Sequence, residues 1–160
     1  MKKALATIAL VVCLLPMPLG AASYSSTLSL TGFPSEGGNW LPLSFFWGPN
    51  PTRNGLSNTL TWTTTTDSGD QYLISAAKTG QLFSSAHLQN GLDYGTAQIA
   101  AVDIVMTNVT VQSFDISADV NGPRKVVTFR FDSVTYTYQP LLPNGQKAGP
   151  PFTVTETFRK

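Results

Sequence analysis

In RKVVTFRFDSVTYTYQ, residues 124–139, apolar and polar side chains alternate almost one for one. A helix cannot gather such a set onto one side, whereas successive side chains of a strand point to opposite faces. Val127, Phe129 and Phe131 share one phase, and Val134, Tyr136 and Tyr138 share the other, so the phase breaks at Asp132-Ser133. Short alternating runs separated by Gly, Pro and Asn recur from Tyr24 onward, which predicts a mainly antiparallel β-domain.

Tyr24 to Thr31 reads as a first strand with Leu28 and Leu30 inward, and Phe33 to Gly38 as a turn. Trp40 to Trp47 reads as a second strand. There Leu41, Leu43, Phe45 and Trp47 form the core face, and Pro42, Ser44 and Phe46 the other. Pro42 has no N–H to give a ladder and marks an edge or a bulge. Phe46 is a large aromatic on the face that should meet water. After a loop from Gly48 to Asn58, Thr59 to Thr66 (TLTWTTTT) returns as a strand with Leu60, Trp62 and Thr64 on one side. The period then changes: Tyr72, Leu73, Ala76 and Ala77 make the stripe of a short helix, capped by Ser68 or Asp70 and stopped by Gly80.

Gln81 to Gln89 reads as a strand with Leu82, Ala86 and Leu88 in phase, followed by a loop through Asn90-Gly91 to Thr96. From Ala101 to Asp119 the apolar phase runs Val102, Ile104, Met106, slips to Val109 and Val111, and slips again to Phe114, Ile116 and Ala118. A slip of one residue turns a strand inside out unless a bulge or bend absorbs it. Asn121-Gly122 predicts a hairpin, and Phe152 to Phe158 a last strand. Long strands that change phase midway serve two sheets in a small barrel or corner-turning sandwich.

The first 22 residues, MKKALATIALVVCLLPMPLGAA, have the parts of a secretory signal peptide: Lys2 and Lys3, an apolar run from Ala4 to Leu15, and a small-residue exit at Gly20-Ala21-Ala22. The run is short of the roughly 20 residues that a membrane helix needs. The expected product is one exported domain, residues 23–160, secreted or periplasmic and without a membrane span. A start at Met17 would instead leave it cytoplasmic. Cys13 is the one cysteine, so nothing after the signal can form a disulfide. Removing Lys2 and Lys3 from the 10 basic residues leaves 8 against 9 acids, a net of about −1, which does not invite nucleic acid. Only 12% of residues are charged, against about 25% in typical domains. A surface of Thr, Ser, Asn and aromatics suits association, because interface cores are poor in charge.

Candidates for chemistry are sparse. His87 is the only histidine and falls on a strand face away from Leu82 and Leu88, as a surface or interface residue does. Asp67 and Asp70 flank the helix start, where capping explains both. Asp115, Asp119 and Asn121 offer oxygens, but DISADVNG lacks the spacing of a calcium loop, and no metal or cofactor is expected. Asn108-Val109-Thr110 fits a glycosylation sequon. Trp40, Trp47 and Trp62 would make a sugar platform if exposed, which keeps an exported ligand- or carbohydrate-binding β-sandwich as the rival reading; the alternation of Trp47 and Trp62 with leucines makes them core instead.

Leu43-Ser44-Phe45-Phe46-Trp47-Gly48 resembles the Leu-Ser-Phe-Ser-Trp-Gly segment of Hcp, the haemolysin-coregulated protein family of type VI secretion. TWTTTTDSGDQYLISAAKTGQLFSSAHL is similar to that family's order of strand, aspartate, short helix, glycine and strand. DIVMTNVTVQSF and VTFRFDSVTYTYQP resemble its paired strands and aromatic C-terminal strand. The resemblance covers nearly all of the chain after residue 22. It implies a small antiparallel β-barrel of two sheets with one short helix, and a non-enzymatic subunit of six-membered rings that stack into a tube able to carry effectors. It places Leu43, Phe45, Trp47, Gly48, Phe129, Phe131, Tyr136 and Tyr138 in the motif core. Phe46 stands where the family has a small polar residue, and Phe46, Trp40 and His87 are the expected subunit contacts.

Overall fold

The computed structural model describes residues 23–34, 38–49, 56–93, 98–120, 122–142 and 144–158. The expected signal peptide and the hairpin residue Asn121 lie outside them. In chain order the elements are β1 (Ser23–Thr31), β2 (Asn39–Trp40), β3 (Ser44–Phe46), β4 (Thr59–Thr65), α1 (Asp70–Thr79), β5 (Leu82–Asp93), β6 (Gln98–Asp119), β7 (Gly122–Arg130), β8 (Ser133–Tyr138) and β9 (Phe152–Thr157). The fold is mainly β with one short helix, as the alternation predicts. All the strand pairs are antiparallel, in the order β2-β1-β5-β6-β7-β4-β3, with β8 and β9 branching from β6.

The branch follows from the length of β6. Its Val102–Thr107 stretch lies between β5 and β8, and from Thr110 it pairs with β7 instead. The first slip read in the sequence, Met106 to Val109, falls at Asn108, whose φ of 52° is left-handed. A short polar side chain tolerates that region better than most. The second slip, Val111 to Phe114, falls at a register shift between Val111 and Ser113. With these two devices Ile104, Met106, Val109 and Val111 all reach the core, and Phe114 packs against it. Leu28 and Leu30 of β1, Leu60 and Trp62 of β4, Val127 and Phe129 of β7, and Leu73 and Ala76 of α1 meet them in one cluster. Gly80 ends α1 with φ 66°.

Several residues sit differently from expectation. The predicted strand from Trp40 to Trp47 is split, because the chain crosses at Pro42 from the edge beside β1 to the edge beside β4. The Thr64 hydroxyl donates to the Leu41 carbonyl (2.9 Å) and the Leu43 N–H to the Thr63 carbonyl (2.8 Å). The crossing shifts the phase: Trp40 is buried, while Leu41 and Leu43 face out, Leu43 being 55% exposed. Leu43 is therefore not core, and Trp40 is not available for a subunit contact. In β5 the inward residue is Phe83 rather than Leu82, because Phe83 stands opposite Val109 just past the Asn108 kink. Ile116 and Ala118 run past the core into the β6–β7 hairpin and are exposed. Tyr138, the last residue of β8, is exposed too, while Tyr136 packs against the core. The residue preceding α1 is Gly69, without a side-chain cap.

Candidate functional site

Two surfaces and one buried cluster concentrate the polar chemistry of the described residues. The first surface is the outer face of β1, β5, β6, β8 and β9. The register aligns Thr31, Ser85, Thr107, Ser133 and Thr157 in one row, Ser29, His87, Val105, Thr135 and Thr155 in a second, and Thr27, Gln89, Asp103, Thr137 and Thr153 in a third. The same strands bury Leu28, Leu30, Ala86, Leu88, Ile104, Met106 and Val134 on their other face, so strict alternation creates both. Hydroxyl pairs stitch the rows across strands: Ser85 to Thr31 (3.0 Å), Thr107 with Ser133 (2.5 Å), Thr135 with Thr155 (3.1 Å) and Thr137 with Thr153 (3.2 Å). The titratable residues in these rows are His87 and Asp103, joined at 2.7 Å (Nε2 to Oδ1), and the Gln89 amide donates to the other Asp103 oxygen at 3.4 Å. An open cleft of about 440 Å³ borders this face, lined by Asp103, Thr137, Gln139 and Lys147 among others. Among its described residues the face offers many hydrogen bonds and no broad apolar patch.

The second surface is the outer face of β3, β4, β7 and the end of β6. Phe46 lies in register with Thr61, Thr128 and Ser113, beside the Thr61–Thr128 hydroxyl pair (3.0 Å). It is 76% exposed, on a strand whose far edge no described strand pairs. Its neighbour Phe45 faces the core. Trp47 packs on Tyr136 with centroids 5.5 Å apart and donates Nε1–H to the Ser57 carbonyl at 2.9 Å. Burial is the main cause that raises the Tyr136 phenol above its usual range, with Tyr138 adding to it.

The buried cluster went unread in the sequence. Lys125 is 0% exposed, and its Nζ donates to Asp67 Oδ2 at 2.7 Å and to Asp70 Oδ1 at 2.5 Å. The ammonium also lies 5.4 Å from the Trp40 ring centroid and 5.9 Å from that of Trp62, within cation–π range. Asp67 and Asp70, expected as caps, thus hold the start of α1 onto β7. The signal was present: Lys125 shares its phase with Val127, Phe129 and Phe131, so alternation alone turns it inward. Among the described residues no group of His, Cys, Asp and Glu is arranged to hold a metal ion.

Residues 50–138, more than half the chain, match the family model described as "Type VI secretion system effector, Hcp". The chain belongs to the Hcp family. Solved structures agree on the fold of this Hcp chain. A structure described as a type six secretion system protein is 23% identical with a TM-score of 0.65, over 81% of this chain and 93% of its own. Hcp1 from Salmonella typhimurium is 19% identical with a TM-score of 0.66, over 84% and 94%. Hcp3 from Pseudomonas aeruginosa is 13% identical with a TM-score of 0.59, over 88% and 100%. No curated protein matches the sequence. Hcp proteins are structural components of type VI secretion.

Proposed function

We propose that this Hcp chain is an exported, ring-forming subunit that performs no chemistry on a substrate. Phe46 carries the reading: a nearly free aromatic on an edge strand, in a row of hydroxyls, loses apolar surface to water only by meeting another molecule. A second copy is the partner that the family resemblance implies, in a ring that is expected to hold six subunits and to stack. Leu41 and Leu43, exposed just before β3, extend the same apolar edge. The hydroxyl face around His87 is suited to the opposite task, because a hydroxyl-rich surface with few charges and little apolar area lets polypeptide pass without trapping it. His87 is half-exposed on that face and contributes a polar contact there. The rival sugar-platform reading loses its tryptophans, since Trp40 and Trp62 are buried and the Trp47 N–H is taken up within the chain.

Light scattering of the purified chain tests this. A ring-sized species is expected, and Phe46→Ser should shift it toward monomer with little change in the unfolding midpoint. A clean wild-type monomer at high concentration refutes the ring. A large loss of monomer stability in Phe46→Ser would place that ring in a core instead.

A further inference from the structure

Lys125 is the only fully buried charged residue among those described, and neither ring formation nor secretion calls for it. Burying an ammonium with two carboxylates costs several kcal/mol per ion in desolvation, offset only by good geometry. The geometry here has three further properties. The Lys125 Nζ touches the side-chain carboxyl of Asp70 at 2.5 Å, and that carboxyl is itself mostly buried (15% exposed). A second carboxylate, Asp67, touches the same nitrogen at 2.7 Å and is the one in contact with water (39% exposed). The rings of Trp40 and Trp62 wall the nitrogen. An amine buried against a mostly buried carboxyl, with a second carboxylate on the same nitrogen to carry protons, is the arrangement that amide condensation needs.

We propose that Lys125 and Asp70 condense into an intramolecular amide, with Asp67 as the catalytic proton carrier. The Lys125 ammonium passes one proton to the Asp70 oxygen it touches, and the freed amine adds to Cγ of the carboxyl so formed. The C–N bond forms, Asp67 takes a second proton from that nitrogen and delivers it to the hydroxyl on Cγ, and the C–OH bond breaks as water leaves. In sum, one ammonium and one carboxylate give one amide and one water, with no oxidant, reductant or co-substrate. The product is a neutral buried amide in place of a buried ion pair, formed once per molecule. It ties α1 to β7 across 55 residues of chain. From Ser23 onward the chain has no cysteine, so this bond is the covalent staple open to it.

Mass spectrometry of the purified, denatured chain decides the matter. The expected intact mass is one water below that calculated for the same chain counted from its own first residue. Trypsin should yield a branched species joining residues 54–78, which contain Asp70, to residues 125–130, because acylated Lys125 is no longer cleaved. A full sequence mass with the two peptides separate overturns the proposal. Asp67→Asn keeps the shape of the site and the Lys125–Asp70 contact. It should fold by circular dichroism yet show the full mass, and an undiminished branched peptide in that variant overturns the role given to Asp67.

Discussion

At the scale of single residues, position within an alternating strand decides more than residue type. Lys125 is buried because it is in phase with Val127 and Phe129, and Phe46 is exposed because it is out of phase with Phe45 and Trp47. Tyr136 adds a titration to this fold. Burial raises its phenol above the ordinary 10.0, with Tyr138 contributing less. Folding therefore favours the protonated ring. The stability it contributes is complete below 10.0, where the unfolded chain also keeps its proton, and is lost as pH rises from there through the higher folded value. Tyr136→Phe should flatten this alkaline loss in urea midpoints measured from pH 9 upward, and an unchanged slope would assign the loss elsewhere. The phase of Tyr136 was legible in VTYTYQ. Its contact with Trp47 was not, since no local pattern brings residues so far apart together.

At the scale of elements, the devices that let β5 and β6 change face are the sensitive points. The register between them shifts at Asn90/Gly91, and a Cβ on Gly91 would sit 2.0 Å from the Ile99 carbonyl oxygen and 2.7 Å from the Ala100 Cα. Both neighbours are backbone, so the ladder itself must open. Gly91→Ala should cost about 2 kcal/mol or more, read as a fall in urea midpoint. Asn108 needs its left-handed φ of 52°. There Asn108→Gly should be neutral or better, whereas Asn108→Val should lose about 1–2 kcal/mol. Equal midpoints for the two variants would mean that the strand bends elsewhere. The slips in apolar phase announced that something must happen near these residues. Which device does it depends on the partner strand, and this is why Phe83 opposite Val109, not Leu82, turned inward.

At the scale of the whole molecule, the expected export is tested by the N-terminus of the cellular protein. Ser23 as first residue supports a secreted or periplasmic subunit, and a start at Met17 returns it to the cytoplasm. The sequence by itself determined the class of fold, the order of strands and helix, the apolar inward residues of β1, β4 and β7, and the family, because each rests on local periodicity or on motifs in order. Only the tertiary structure decided where the chain crosses at Pro42, that Trp40 is core and Leu43 is not, and that one strand serves two neighbours on the same side. Nor does the sequence show that Asp67 and Asp70 close on Lys125, or that fifteen residues of five strands align into three rows, most of them hydroxyl-bearing. These depend on register between segments distant in sequence, and register is fixed by the fit of whole faces against one core, which no single segment encodes.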